Sequence, residues 1–482
     1  MNILFPIDEA APLYKVGGLG DVGGALPKGL AQLGVDVRIA IPYHPEIILA
    51  PENRVEEITF EIVYNRQTLP ITVFSTLLPG TAIPVYLFYE PMYLSQHTGA
   101  SDNHADKFSV FSLAVATWIC RHSPYWQPHV IHCHDWHTAL IPVILNHKFH
   151  ALYKTIVTIH NFAYQGVTQT PVVQHLDINP ADCKILSWDS ADGDVNILLE
   201  GLLHCDTITT VSPSYAKEIL TQEYGEKLHD IMEGRKGRIV GILNGIDTNA
   251  YDPHQDTLIP QKYSPSDWQS GKATNRAELR RQLGLSTDID RIMIGYVGRV
   301  DPYQKGIGLM IQAIKNKALP PENCEFVFLG TGDPELERQL HQVGDNHPRV
   351  RIITRFDEAL AHQIYAASHL CLIPSRFEPC GLVQLIGMRY GCLPIVRKTG
   401  GLADTVYHQQ NGFVFENYSE DAMNSAISDS IKTILDSNQY ATMVKSAMEG
   451  DYSWVKSAKE YAMLYQELAT GKKDITNPLV DK

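Results

Sequence analysis

The sequence predicts an α/β protein of two doubly wound domains, each a parallel sheet covered by helices on both faces. Three observations lead there. Short β-branched apolar runs without polar alternation recur in both halves, as parallel strands buried on two sides require. Segments of helical periodicity separate them. The series begins again near Arg291, after a stretch rich in Pro, Gly, Asn and Asp.

In chain order, Asn2–Ile7 reads as a buried strand and 19–33 as a helix, with Gly34 as the residue that ends it. Val35–Ile41, Val130–Cys133, Thr155–Ile159 and Thr207–Val211 follow as strands. Glu56–Leu87 alternates more strongly and reads as a mixed edge of the same sheet. The second series comprises Arg291–Val297, Glu325–Leu329, Val350–Thr354, Leu370–Ile373 and Leu393–Val396. This places a first Rossmann-like domain at 1–248 and a second at 249–452. A last helix at about 453–470 is expected to pack back on the first domain, and the polar tail 471–482 to be flexible.

The chain has 482 residues, 44% apolar and 20% charged, with a net charge of −14. Such an acidic balance disfavours a general grip on nucleic acid or an acidic membrane, so an anionic substrate must be met by locally placed cations. The eight cysteines contain no Cys-x-x-Cys pair, which reads as buried, reduced thiols. The start, Met1 to Asp8, has no basic region and turns acidic early, unlike a signal peptide. No apolar run is long enough to span a bilayer. The expectation is a cytoplasmic enzyme, or the mature form of an imported one.

Four stretches carry chemistry. Lys15-Val16-Gly17-Gly18-Leu19-Gly20-Asp21 follows the first strand and opens a helix, a place suited to an anion. It is neither a dinucleotide fingerprint nor a Walker loop, and glycines that serve only packing give the same pattern. Gly298-Arg299-Val300-Asp301-Pro302-Tyr303-Gln304-Lys305-Gly306 puts two cations after a strand. On a diphosphate, each would contribute roughly 1.5–3 kcal/mol through charged hydrogen bonds. A solvated pair beside a helix start is the competing reading. Pro374-Ser375-Arg376-Phe377-Glu378-Pro379-Cys380-Gly381-Leu382 adds a carboxylate at a strand's carboxyl end, and Arg397 to Thr405 adds another cationic, glycine-containing turn.

With these stretches, His132-Cys133-His134-Asp135-Trp136-His137, Thr158-Ile159-His160-Asn161, Thr210 to Tyr215 and Leu243-Asn244-Gly245-Ile246-Asp247 lie in order over about residues 1–465. Together they resemble the bacterial glycogen synthases and plant-type starch synthases, retaining GT-B, GT5-like glucosyltransferases. The resemblance implies a nucleotide diphosphoglucose in a cleft between two facing domains, ADP-glucose in the first instance and UDP-glucose as the alternative. It implies that Arg299 and Lys305 hold the diphosphate, that Lys15, Gly17 and Gly18 close over phosphate and sugar with Asp21 and Asn244 nearby, and that Glu378 orients sugar hydroxyls. A helix starting near Cys380 would offer N–H groups, those of Cys380, Gly381 and Leu382, to the distal phosphate. Phe356 would stack on the base near Gly330 and Thr331, and His160, Asp135 and Asn161 would serve the glucosyl and acceptor side. The acceptor is the non-reducing end of an α-1,4-glucan or maltooligosaccharide. No cofactor, metal, nucleic acid or membrane partner is expected, and a plastid stroma is the other compartment that the family implies.

The chemistry itself favours fixed cations. An anomeric carbon losing a diphosphate turns cation-like while the phosphate becomes more anionic, so cations on the phosphate stabilise the transition state more than the ground state. No carboxylate stands out as a nucleophile, which favours a front-face path over double displacement. His132-x-His134-x-x-His137, Asp192-Gly193-Asp194 and Asp288-Ile289-Asp290 have metal-binding residue types but read better as strand-end and loop residues. Trp118, Tyr125 and Trp126 read as sugar-stacking or core aromatics. The chain departs from the family pattern at Leu199, Glu200, Val383 and Arg355, where lysine, a small residue, a hydroxyl residue and glycine are usual. A relative with an altered acceptor is therefore kept as an alternative, as is, from another class, a glucan-binding or priming protein with weak or no turnover.

Overall fold

The computed structural model describes residues 1–95, 104–179, 181, 183–286, 288 and 290–471. They form two compact units. Unit 1 holds 1–211, 216–244 and the C-terminal stretch from Trp454, and unit 2 holds Ser212–Tyr215 and Gly245–Ser453. The expected flexible tail lies outside the described residues except for Gly471. No described helix is long and apolar enough to cross a membrane.

In unit 1 the strands are β1 (Asn2–Pro6), β2 (Asp36–Pro42), β3 (Val55–Tyr64), β4 (Gln67–Leu77), β5 (Pro84–Tyr89), β6 (Val130–His134), β7 (Lys154–Ile159), the short β8 (Val167–Thr168) and β9 (Val195–Asn196), β10 (Thr207–Thr210) and β11 (Ile239–Gly241). β8 pairs only with β9, while the others form one sheet in the order β11-β10-β7-β6-β1-β2-β5-β4-β3. Pairing is parallel from β11 to β5 and antiparallel for β5–β4 and β4–β3. The alternating stretch is thus the mixed edge that its pattern predicts, because only a half-buried strand tolerates polar residues on one face. Ile3, Phe5, Ile39, Ile41, Val85 and Leu87 form the buried centre.

The helix Gly18–Gln32 covers one face. Gly34, at φ +78°, ends it, in the left-handed region where a side chain is strained. Helix Trp454–Thr470 lies against it within unit 1. At Gly29 an added Cβ would sit 3.0 Å from the Ala458 Cβ, so the missing side chain sets how closely the two helices approach.

Unit 2 has a six-stranded parallel sheet of β12 (Ile292–Val297), β13 (Cys324–Leu329), β14 (Val350–Ile353), β15 (Leu370–Ile373), β16 (Leu393–Arg397) and β17 (Phe413–Phe415). Its order is β14-β13-β12-β15-β16-β17. Strand order therefore reverses between β12 and β15, and in unit 1 between β1 and β6. In open α/β sheets, ligands bind outside the carboxyl ends of the strands at such reversals.

Candidate active site

In unit 2 the turns after β12 and β15 flank the reversal, and an ion pair joins them. Lys305 Nζ donates to both carboxylate oxygens of Glu378, at 2.9 and 2.7 Å. Glu378 also accepts from Ser375 Oγ at 2.9 Å and from Gln304 Nε2 at 3.3 Å. Gln304 turns its other end to Arg299, whose Nη2 donates to Gln304 Oε1 at 3.1 Å. Arg299, Gln304, Glu378 and Lys305 are therefore one hydrogen-bonded chain. The Glu378 side chain is 6% exposed and that of Lys305 18%. A charge pair this enclosed survives only when its remaining lone pairs are satisfied, which Ser375 and Gln304 do.

The local sequence sets this geometry. Asp301 Oδ1 accepts from the amides of Tyr303 and Gln304, at 2.8 and 2.7 Å, and folds the loop back. The Arg376 amide donates to the Gln304 carbonyl at 2.7 Å. Gly306 has φ +71°, and a Cβ there would lie 2.1 Å from the Pro374 carbonyl oxygen, so only glycine lets the two turns touch. Val300 bridges to Gly332, placing Gly330 and Thr331 beside the Arg299 turn. The Thr331 hydroxyl donates to Glu337 at 2.8 Å. Phe356, beyond β14, is 82% exposed, as a ring free to stack on a ligand must be. Arg355 pairs with Asp357 at 2.8 Å.

After Cys380 the structure differs from the expected helix start. The helix is Val383–Arg389, with Leu382 as its cap, and Gly381 stands in a turn at φ +73°. Gln384 Nε2 donates to the carbonyls of Cys380 and Gly381, at 3.0 and 2.7 Å, and stiffens that turn. Cys380 is buried, and Leu382 is partly exposed.

Unit 1 repeats the logic at its own reversal. The turn after β1 carries Lys15, whose Nζ donates to Asp21 at 2.7 Å. The amides of Val16 and Gly17 donate to Glu9 Oε2, at 2.6 and 2.9 Å. Glu9 thus holds two N–H groups that the sequence offers to an anion, while Gly18 is exposed. Burial raises the Glu9 carboxyl, against the pull of the Gly17 and Val16 amides. Beneath it, Asp8, His44 and Lys107 form a polar cluster, with His44 Nε2 3.1 Å from Asp8 and Lys107 Nζ 3.4 Å from His44 Nδ1. Burial would raise Asp8, but the His44 hydrogen bond and the neighbouring positive charges hold it below the usual value.

Asp135, just past β6, has φ +52° and accepts from the His160 amide at 2.7 Å. Burial pushes its carboxyl up to about 7, against hydrogen bonds from the His160 and Asn161 amides. His160 Nε2 lies 2.9 Å from His134 Nδ1, and burial takes its imidazole down to about 3. His132 contacts Tyr465 OH at 2.7 Å and Thr158 Oγ1 at 2.5 Å, so the three-histidine stretch is engaged by separate partners. Asn244, buried, ends its part of unit 1. Trp118 and Trp126 are core residues, whereas Tyr125 is fully exposed.

Leu199 and Glu200 both point inward, 2% and 0% exposed. Burial and the charge of Asp189 push the Glu200 carboxyl up to about 8. These departures change the interior of unit 1. Val383 occupies the first helical position and has no hydroxyl to offer.

These shifts make unit 1 sensitive to acid. Burial lowers His132 and His134 well below 6.5, His137 to about 4 and His160 to about 3. Each binds fewer protons folded than unfolded, so its contribution is complete above pH 6.5 and lost as pH falls toward the folded value. Asp135 and Glu200 act oppositely, since their raised carboxyls lose stability as pH rises toward about 7 and about 8. Burial lowers His122 and His204 as well and raises Glu9, Asp189 and Glu460, so six imidazoles stand against five carboxyls among the described residues of unit 1. The urea midpoint is expected to be lower at pH 5 than at pH 7, and His137→Gln to narrow the gap. Equal midpoints at the two pH values would contradict this assignment.

Known proteins resemble this chain over nearly its whole length. A family model described as the starch synthase catalytic domain matches residues 2–234, and one described as glycosyl transferases group 1 matches residues 291–433. The glycogen synthase of Gloeobacter violaceus is 36% identical, over 97% of this chain and 99% of its own. Glycogen synthase 1 of Methylococcus capsulatus is 38% identical, over 98% and 97%. The catalytic domain of starch synthase IV from Arabidopsis thaliana, bound to ADP and acarbose, matches with a TM-score of 0.86 at 32% identity, covering 97% of this chain and 99% of that one. Sucrose-phosphate synthase from Thermosynechococcus elongatus, 18% identical with a TM-score of 0.61 over 98% and 100%, shares the fold alone. Near-full-length identity with glycogen synthases and two doubly wound units of GT-B type lead to one conclusion: the chain belongs to the glycogen and starch synthase family of glycosyltransferases.

Proposed function

We propose that the protein transfers glucose from ADP-glucose to the non-reducing end of an α-1,4-glucan, with retention at the anomeric carbon. The observation that carries this reading is the Lys305–Glu378 pair spanning the strand reversal of unit 2, chained through Gln304 to Arg299. Support for the donor comes from the Arabidopsis starch synthase IV, which was solved with ADP and acarbose.

Arg299 and Lys305 bind the diphosphate and take up charge as it leaves, while Glu378, held by Ser375 and Gln304, receives sugar hydroxyls. Phe356 stacks on the base beside Gly330 and Thr331, and the Cys380–Gly381–Leu382 turn meets the distal phosphate. From unit 1, Lys15, Gly17, Gly18, Asp21 and Asn244 serve the donor. Asp135, Asn161 and neutral His160 hydrogen-bond the glucosyl and acceptor groups. The acceptor 4-hydroxyl oxygen forms its bond to C1 on the face that the diphosphate leaves, the C1–O bond breaks, and the hydroxyl proton passes to the departing phosphate oxygen. Products are ADP and a glucan longer by one residue. The step uses no metal or cofactor.

Incubating the pure protein with maltooligosaccharides and either ADP-glucose or UDP-glucose tests this reading. Elongation with ADP-glucose, giving α-1,4 products by NMR, is the expected result. Elongation with UDP-glucose alone would overturn the donor assignment. Glucan binding without elongation by either donor would leave the non-catalytic alternative.

A further inference from the structure

One cluster in unit 1 lies outside every role assigned above. His147 ends the helix Leu140–His147, His204 ends the helix Ile197–His204, and Cys183 precedes the helix Lys184–Asp189. One nitrogen from each imidazole and the Cys183 sulfur lie within 4.8 Å of one another, the single such trio of metal-binding side chains among the described residues. The His147 and His204 rings meet edge to face at 4.9 Å. The two helices come this close because Gly201 has no side chain; a Cβ there would sit 2.5 Å from the Ala139 Cβ. Asn146 Nδ2 then donates to the His204 carbonyl at 3.2 Å.

The tautomer of His204 follows from its neighbours. Its Nδ1 lies 2.7 Å from the Glu200 carbonyl oxygen, which only accepts, so Nδ1 carries the proton. Nε2 therefore presents a lone pair, and it faces Cys183 Sγ at 3.5 Å. A backbone carbonyl behind one ring nitrogen, with the other aimed at a thiol, is the arrangement of a metal-ligating histidine. A hydrogen bond from the thiol to the imidazole also fits this contact. However, in a tetrahedral site with metal–sulfur about 2.3 Å and metal–nitrogen about 2.0–2.1 Å, nitrogen and sulfur stand roughly 3.5 Å apart. Two imidazoles and a thiolate suit zinc-class ions, whereas magnesium and calcium select oxygen donors.

We propose that His147, Cys183 and His204 hold one Zn²⁺ ion, with water completing four-fold coordination. Binding releases the Cys183 thiol proton to solvent and forms the sulfur–metal bond. The ion fastens the segment bearing Cys183 to the helix pair that ends at His147 and His204. Its role is structural, since none of the three side chains is assigned to the transfer reaction.

The test is equilibrium dialysis of the reduced, metal-stripped full chain against Zn²⁺ alone, with Co²⁺ as a spectroscopic probe. One equivalent of zinc, a thiolate-to-cobalt charge-transfer band and a higher melting temperature with zinc are expected. Cys183→Ser and His204→Gln should each weaken binding at least about a hundredfold. Cys120→Ser, a thiol elsewhere in unit 1, should leave it unchanged. Circular dichroism confirms folding, and His147→Gln replaces either variant that does not fold. Absence of stoichiometric zinc on the folded chain, or zinc binding unaltered in the site variants, would overturn the proposal.

Discussion

Replacing Lys305 by alanine is expected to lower kcat at least about a hundredfold. The ammonium is held by both Glu378 oxygens at 2.9 and 2.7 Å, so it is fixed in place before the reaction begins. A preorganised donor aimed where charge develops typically contributes about 2.7–4 kcal/mol to lowering a barrier, or a hundred- to a thousandfold in rate. Because the charge grows on the leaving diphosphate, kcat should fall more than KM rises. Glu378, 6% exposed, loses its counter-charge and some stability is lost with it, but the variant is expected to fold because Glu378 keeps hydrogen bonds from Ser375 and Gln304. Steady-state kinetics with saturating ADP-glucose, alongside circular dichroism, measures this. Turnover within threefold of wild type in a folded Lys305→Ala protein would remove that side chain from the chemistry.

Glu378→Ala is expected to damage stability and activity together. The carboxylate accepts from Lys305, Gln304 and Ser375, and its removal leaves an ammonium that is only 18% exposed without its counter-charge. Breaking one side of an enclosed ion pair costs about 3–5 kcal/mol. That range is an upper bound here, because Lys305 is partly accessible and can turn toward water. Glu378→Gln separates the two effects. It keeps an oxygen for Lys305 or Ser375 and should regain most of the stability. It should not regain full activity, because the amide carries no charge to hold Lys305 in register and accepts sugar hydroxyls with one oxygen only. Urea denaturation together with kcat and KM distinguishes these outcomes. Equal stability of Glu378→Ala and wild type would show that the pair contributes nothing to the fold.

Much of this was legible in the sequence where the physics is local. Buried parallel strands need unbroken apolar runs, and β1, β2, β6, β7, β12, β13 and β15 appear where those runs lie. The charged groups were legible too, since Arg299, Lys305 and Glu378 stand beside strand ends. What joins them was not. Gln304 and Ser375 are uncharged; Gln304 meets Glu378 across 74 residues of chain, and Ser375, only three residues from it, has no charge to mark its role. Glu9 carries no signal in the sequence, because its partners are backbone amides. The helix starts at Val383 and not near Cys380, because Gly381 adopts a left-handed turn that delays it. Leu199 and Glu200 are buried on the helix whose Gly201 packs closely on Ala139, a contact between distant segments that the sequence does not display. Resemblance alone points to Asp135, His160 and Asn161, and their mutual hydrogen bonding depends on β6 and β7 lying side by side.

The most direct test of the account is a crystal structure of the protein with bound ADP. The account predicts the Lys305 ammonium and the Arg299 guanidinium within about 3 Å of diphosphate oxygens, at charged hydrogen-bond distance. ADP seated elsewhere, with Lys305 still closed on Glu378 and Arg299 still turned to Gln304, would contradict it.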